Sequence, residues 1–405
     1  MKNKNVIALG GVAMVAGLAG ASAQDAAPLF KIGSVEVRPH ATYSIVYDDN
    51  IFLEHKAKNV VPNKGNPGRD HDFVHTITPG LRLNAGDAAA RQSAYFDANY
   101  SAVVTRFTDY SGSDAVDHNG AIEFGGKLNR LSLSASQKLD SASDASAAGL
   151  AANGRVKRKT WTTDLDASYE VSDKTTLGLG LQQVIGDYKA PLVDSTDRSV
   201  KLTLDYQILP KVTVGVGAAM GYLQVDGAGS PNSSYQQGEA RLAWRATEKT
   251  TIRGAVGFEH RNVQSVGAKD PNGLIFELGA DWKASDKTTL SLTGSRGTKV
   301  SNSNGGQLNE ETSINLGVKH GLWENVSVGI DGGYLFSHYT ATTVAGAAGL
   351  RDDGYAFAKP SVSYRFMERA QATVFYQYRR NDSDLVSNGN DFYNSQLGLE
   401  LSYKF

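Results

Sequence analysis

The chain has no cysteine, only 10 prolines and 4 tryptophans in 405 residues, and almost no net charge. Without cysteine there is no disulfide framework, no thiolate-held zinc or iron–sulfur cluster and no thiol nucleophile. A formal charge of −1, from 41 basic and 42 acidic residues, excludes the basic excess of a nucleic-acid binder and the acidic excess of a disordered tail. Beyond the N-terminal segment no stretch approaches the roughly 20 apolar residues of a membrane helix. No G-x-S-x-G or H-E-x-x-H pattern occurs. The charged share is 20% and the apolar share is ordinary, so composition does not announce a membrane protein. Glycine, at 43, and tyrosine, at 18, are the abundant residues. The length suits two or three domains, or one large closed barrel.

The N-terminus is an address. Lys2 and Lys4 precede an apolar run over 6–19, and Ala21-Ser22-Ala23 follows. A charged start, a short apolar core and a small-residue site make a secretory signal peptide cut after Ala23. The run is too short to span a membrane, and the absence of cysteine excludes a lipid-modified N-terminus. The expected organisation is a signal peptide over 1–23 and one domain over 24–405, outside the cytoplasm. With no membrane helix available, that domain is either soluble or crosses a membrane as strands.

Period-two alternation dominates the rest. Leu397, Leu399, Leu401, Tyr403 and Phe405 interleave with Gln396, Gly398, Glu400, Ser402 and Lys404. Val200, Leu202, Leu204, Tyr206 and Ile208 interleave with Lys201, Thr203, Asp205 and Gln207. On a strand such sets face opposite sides of the sheet. About eighteen strands are expected on this basis, near 34–47, 73–84, 93–106, 116–127, 130–140, 158–171, 175–187, 198–208, 212–225, 235–246, 250–264, 273–284, 288–301, 309–320, 325–339, 354–366, 369–381 and 392–405.

The connections alternate in length. Asn129-Arg130, Ser172-Asp173-Lys174, Pro210-Lys211, Glu248-Lys249, Asp286-Lys287, Trp323-Glu324 and Glu368-Arg369 are short. The intervening ones, such as Asp48 to Asp72, Ser141 to Val156, Asp226 to Ser233 and Ala341 to Asp352, are long and polar. Short periplasmic turns, long extracellular loops and an even strand count are the pattern of a bacterial outer-membrane barrel. Lipid offers no hydrogen-bond partners, so a sheet in hydrocarbon must close on itself. A soluble propeller would not need all turns on one side to be short. The recurrence of Ser-Asp-Lys-Thr-Thr-Leu at 172–177 and 285–290, with Thr-Glu-Lys-Thr-Thr at 247–251, has differing surroundings and reads as one turn solution reused. The expected fold is all-β: a single transmembrane antiparallel up-and-down β-barrel of about 18 strands, in the outer membrane. Trp244, Trp282 and Trp323 fall near short turns and Trp161 toward the other side, as headgroup-level anchors do. Terminal Phe405 resembles the end of the closing strand that the barrel-assembly machinery recognises. Outer-membrane lipid and that machinery are therefore the expected partners, and nucleic acid is not.

If the polar face of each strand points inward, the lumen is lined by Arg38, Arg82, Asp164, Asp166, Arg241, Arg245, Arg253, Glu259, Arg261, Glu277, Asp281, Asp331, Arg365 and Arg379, among others. The signs nearly balance. Such a wall holds water and bonds polar solutes without strong ion selection, although mixed-sign walls also form purely structural cross-strand ladders. Eighteen strands enclose more space than side chains fill, so an aqueous passage is expected. In the strand over 354–366, Tyr355 and Phe357 are out of phase with Val362, Tyr364 and Phe366. A bulge near Lys359-Pro360 reconciles them; otherwise the two rings point inward, where they could stack on sugars. Asp70-His71-Asp72 and His75 lie at a loop-to-strand junction with no helix to hold a metal pair, and Asp48-Asp49-Asn50 reads as a turn cluster. No catalytic residue, metal ligand or cofactor is assigned.

The opening strands carry a resemblance. The segment YSIVYDDNIFL at 43–53, a polar loop and DFVHTITPGLRLNAG at 72–86 resemble the start of the β-barrel porin 2 family, through Tyr47, Asp48, Asp49, Asn50, Ile51, Phe52, Asp72, Phe73, Pro79 and Gly80. The resemblance implies an outer-membrane barrel that provides or assists a passage for exopolysaccharide export, with polysaccharide and a periplasmic polysaccharide export protein as partners. It implies no catalytic residues. The alternative is a general diffusion porin for small hydrophilic solutes, narrowed by the 48–72 or 141–156 loop, and a barrel enzyme ranks below both.

Overall fold

The computed structural model describes residues 30–53, 70–86, 94–144, 155–189, 192–227, 230–265, 270–301, 307–341, 350–384 and 391–405. The expected signal peptide lies outside them. A three-residue strand, β1 (Phe30–Ile32), pairs with the start of β2 (Val35–Asp48). Seventeen more strands follow: β3 (Asp72–Ala85), β4 (Tyr95–Phe107), β5 (Ala115–Leu128), β6 (Leu131–Asp144), β7 (Val156–Glu170), β8 (Thr175–Tyr188), β9 (Asp194–Leu209), β10 (Val212–Asp226), β11 (Ser233–Trp244), β12 (Thr250–Val263), β13 (Gly273–Lys283), β14 (Thr288–Val300), β15 (Gln307–Gly321), β16 (Val326–Ala341), β17 (Asp352–Met367), β18 (Ala370–Ser383) and β19 (Phe392–Lys404). Each pairs antiparallel with its neighbours in sequence, and β19 pairs with β2 from Gln396↔Asp48 to Lys404↔His40. The eighteen long strands thus close into one barrel without a free edge, which is what hydrocarbon requires of a sheet.

The alternation sorts by face. On β13, Leu274, Leu278 and Trp282 are exposed on the outer wall, while Glu277 and Asp281 line the interior cavity. On β9, Leu202, Leu204, Tyr206 and Ile208 are outward and exposed; Lys201, between them, lines the cavity. These exposed leucines and aromatics are where lipid supplies the missing contacts.

Three of the short turns are made by hydroxyls. The side-chain oxygens of Ser172, Thr247 and Ser285 each accept the backbone N–H of the lysine two residues on, at 3.3, 3.1 and 3.2 Å. Each also hydrogen-bonds the hydroxyl of the threonine three residues on, at 3.0, 2.9 and 3.0 Å. The repeated sequence is therefore one serine/threonine turn used three times. The tight turn after β5 uses a different device: Asn129 takes φ 53°, a conformation that asparagine adopts more readily than most residues with a side chain.

One expectation fails. No bulge occurs at Lys359-Pro360: β17 keeps a single register on β16, with Asp331↔Lys359, Gly333↔Phe357 and Leu335↔Tyr355. Its pairing with β18 is interrupted there but resumes in the same register, from Ala358↔Tyr378 to Ser361↔Phe375. Proline lacks one ladder donor, so it removes a rung without shifting the strand. Pro79 does the same between Ile77↔Val104 and Gly80↔Ser101. The register shift in β17 lies later, between Arg365 and Met367. Tyr355 and Phe357 consequently face the lumen.

Candidate functional site: the barrel lumen

Arg38, Arg82, Asp164, Asp166, Arg241, Arg253, Glu259, Arg261, Glu277, Asp281, Asp331, Arg365 and Arg379 all stand at strand positions alternating with exposed outer-wall residues. Arg245 lies just beyond β11, where its backbone N–H donates to Lys211 O at 2.8 Å. A cavity of about 880 Å³ occupies the lumen between β9 and β18, and Arg253, Glu259, Arg261, Glu277, Asp281 and Asp331 line it.

Most of these charges are already paired. Lys201 Nζ lies 2.7 Å from Glu239 Oε1, and buried Arg241 sits 3.5 Å from Asp205 and 3.6 Å from Glu239. Arg261 Nε donates to Glu259 Oε1 at 2.9 Å, with Arg261 over the Tyr235 ring at 4.5 Å. Arg82 pairs with Asp97 at 2.9 Å, Lys127 with Glu170 at 2.8 Å, Arg38 with Glu36 at 2.8 Å and Arg253 with Asp281 at 3.8 Å. Asp164 accepts from Gln182 Nε2 at 2.8 Å and Ser136 Oγ at 3.3 Å. Arg365 Nη2 donates to Glu324 O at 2.7 Å, and Arg379 Nε to Asn394 Oδ1 at 2.9 Å. The wall is a set of pairs, some across strands and some two residues apart on one strand, whose signs cancel locally, so it offers polar contacts without a strong net field.

Glycines make room for these side chains. A Cβ at Gly215 would strike Asp205, and one at Gly217 would lie 2.8 Å from Glu239 Oε1. Gly215 and Gly217 alternate on β10 beneath the ladder, so the carboxylates lie flat along the wall. The high glycine content was visible in the sequence, but its pairing with cross-strand partners needs the register.

The extracellular end carries its own packing. Arg155, the last residue of the connection between β6 and β7, donates to Ser143 O and lies 4.8 Å over the Phe107 ring of β4. Burial pulls its guanidinium below the ordinary range, opposed by Asp144, Asp48 and Asp117. At the same end Leu223, Val225, Val263 and Leu308 form a buried apolar cluster. Most of the 48–72 and 141–156 loops lies outside the described residues.

The opening motif forms a clasp on the closing seam. Asp48 Oδ1 accepts from Asn50 N at 2.9 Å and Asn394 Nδ2 at 2.5 Å, while Asp48 Oδ2 accepts from Gln396 Nε2 at 2.6 Å. Asp49 Oδ1 accepts from Ser395 N at 2.7 Å. Asp72 accepts backbone N–H groups of Thr108, Asp109 and Tyr110 at 3.1–3.3 Å. Asn50, Asn394, Asp72 and Ile51 are buried. Phe52 meets Tyr110 edge-on at 5.6 Å, and Tyr47 packs on Phe73 at 5.3 Å on the outer wall. Tyr110 donates to Asp70 at 2.7 Å, and that bond pushes its phenol up to about 12. Gly80 leaves space that the His40 ring fills, and Pro79 interrupts the ladder to β4 as described above. His75 faces outward, bonded to Tyr43 OH at 2.8 Å, and His71 lies beside Tyr47 at 6.0 Å. Among the described residues no three histidine, aspartate or glutamate side chains converge as a metal site.

Comparison with known families matches residues 184–397 to the model described as outer membrane beta-barrel porin, MtrB/PioB. No curated protein sequence matches the chain. Similar solved structures include the Pseudomonas aeruginosa OccK1 (OpdK) and OccK2 (OpdF), each 11% identical over 91% of this chain. They are covered over 99% and 98%, with TM-scores of 0.48 and 0.47. A BenF-like porin from Pseudomonas fluorescens Pf-5 is also 11% identical, with 91% of this chain and 99% of that one covered, at a TM-score of 0.47.

Proposed function

The chain belongs to the MtrB/PioB family of outer-membrane β-barrel porins, whose model matches just over half of it, and from that premise we propose that it is a non-enzymatic passage for hydrophilic solutes. The observation that carries the reading is the wall of cancelled charge around the 880 Å³ lumen cavity. A solute moving along such a wall exchanges one hydrogen bond for the next, and no single site is deep enough to trap it. Arg38, Arg82, Asp164, Asp166, Arg241, Arg253, Glu259, Arg261, Glu277, Asp281, Asp331, Arg365 and Arg379 are the proposed lining. Arg155, packed over Phe107 at the extracellular side, is the proposed gatepost of the passage. The Phe405 end, whose N–H donates to Pro39 O at 3.0 Å, is the proposed signal for barrel assembly.

The test is reconstitution of the purified chain in planar bilayers. The proposal expects ohmic channels with little preference between potassium and chloride. Folded protein that inserts and carries no current would refute it.

A second reading, passage or assistance for an exported polysaccharide with a periplasmic export protein, is favoured by the resemblance of residues 43–86 to the β-barrel porin 2 family. Those residues lie outside the matched span. Deleting the gene would lower secreted glycan while leaving lipopolysaccharide intact; unchanged glycan would count against it.

A further inference from the structure

One side of the lumen differs from the rest. On β17 the rings of Tyr355 and Phe357 stack inward, with centroids 6.2 Å apart and planes 29° from parallel, and Tyr355 continues to Phe392 at 6.4 Å. Phe357 lies against Gly333 of β16, where a Cβ would come 2.5 Å from the ring; Phe375 of β18 covers Gly398 of β19 in the same way. Glycine removes the side chain that would hold each ring off the wall, so the rings lie along it as a shelf. Tyr355 and Phe357 line the 880 Å³ cavity together with Asp331, Lys359, Gln377 and Asn315.

The polar groups beside this shelf are not tied up as those opposite are. Asp331 and Gln377 make no side-chain hydrogen bond to any described residue, and Asn315 makes one weak contact, to Thr293 Oγ1 at 3.5 Å. Lys359 rests 4.2 Å over the Phe375 ring and faces Asp331 across the strand pair; Arg379, the second cation, stands beside Tyr355 but is held by Asn394 Oδ1 at 2.9 Å and lies 4.0 Å from Asp48. A flat apolar surface edged by free donors and acceptors, with Lys359 facing Asp331 and Arg379 facing Asp48, fits a ligand with an apolar face, a rim of hydroxyls and no charge. An anionic aromatic would meet Asp331 beside Lys359; a small ion would gain nothing from the rings.

We infer that the shelf of Tyr355 and Phe357, with Asp331, Lys359 and Gln377 at its edge, is a binding subsite for a neutral pyranose ring inside the lumen. The inference rests on the passage reading and names the solute class that the passage slows. Binding is weak, on the order of millimolar, because a solute that must move on cannot be held tightly.

The test uses the full mature chain and maltohexaose as the probe, with benzoate as the anionic comparison. In bilayers, maltohexaose interrupts the single-channel current at millimolar concentration, and benzoate at equal concentration does not. Tyr355→Ala and Gln377→Ala each raise the half-blocking concentration by about tenfold, a loss of about 1.4 kcal/mol, with sugar-free conductance within about twofold. Phe357→Tyr keeps the block and guards against variants that misfold. Sugar saturation-transfer NMR on the detergent-solubilised barrel reads binding without current. Current without sugar binding overturns the shelf and leaves the passage standing. Sugar binding that depends on Tyr355, with no current, overturns the passage and leaves the shelf. Equal block by benzoate, or block unchanged in both alanine variants, also overturns the inference.

Discussion

Arg241→Ala should be among the most costly single substitutions of a charged residue in this barrel. Its side chain is 3% exposed and lies 3.5 Å from Asp205 and 3.6 Å from Glu239. At an effective dielectric of about 20, each attraction is worth about 4–5 kcal/mol before desolvation. Removing one member of a buried pair typically costs about 3–5 kcal/mol, because the other charge stays behind. Here Glu239 keeps Lys201 at 2.7 Å, whereas Asp205 keeps no second salt-bridge partner among the described residues. The expected loss is therefore at the lower end, about 3 kcal/mol. The assay is reversible urea unfolding in detergent or lipid, followed by tryptophan fluorescence. Adding Asp205→Asn to Arg241→Ala should restore part of the loss by removing the stranded carboxylate. Lys249→Ala is the control: its partner Asp286 is fully exposed, at 3.5 Å, and no measurable change is expected. A loss under about 1 kcal/mol at Arg241, in the range of exposed pairs, would refute the reasoning. It would mean that water screens this ladder and that the charges are independent of one another.

Further outcomes follow from the two faces and the seam. Leu278→Arg, on the exposed outer wall, should cost about 2–4 kcal/mol where it meets mid-bilayer, while Gly279→Gln next to it points into open lumen space and should fold normally; equal effects would contradict the register. Gly257→Ala should destabilise, because its Cβ would collide with the backbone oxygen of Gly238, yet Gly238→Ala has nothing within 4 Å and should be neutral, as unfolding midpoints would report. Asn394→Ala removes the donor to Asp48 and Asp49 at the closing seam and should cost about 1–3 kcal/mol, seen as faster unfolding of the heat-modifiable band on a cold gel. Arg155→Ala should raise single-channel conductance if that guanidinium narrows the extracellular mouth; an unchanged conductance would remove it from the constriction.

The eighteen strands were legible in the sequence because lipid on one side and polar lumen on the other impose a strict period of two, and because the turns alternate in length. The reused turn at 172–177 and 285–290 was legible for the same local reason: serine and threonine hydroxyls bond their own backbone. What needed coordinates was non-local. Pro360 suggested a bulge, but a proline that drops one rung on the β18 side leaves the register intact, and only the cross-strand pairing distinguishes the two outcomes. Without the bulge the alternative holds, and Tyr355 and Phe357 turn inward. The Asp48-Asp49-Asn50 cluster was legible as a turn, whereas its partner Asn394 lies 346 residues away from Asp48 and carries no sequence signal. Inward charges followed from parity, but which carboxylate each arginine meets depends on strand stagger.

The absence of native cysteine permits the most direct measurement. Single cysteines at 276 to 282 on β13, in outer membranes, would be challenged with a membrane-impermeant, hydrophilic maleimide. The account predicts labelling at Glu277, Gly279 and Asp281 and protection at Phe276, Leu278, Ala280 and Trp282, a strict alternation between water and lipid. Labelling that ran evenly through both sets, or that followed a helical period, would contradict it.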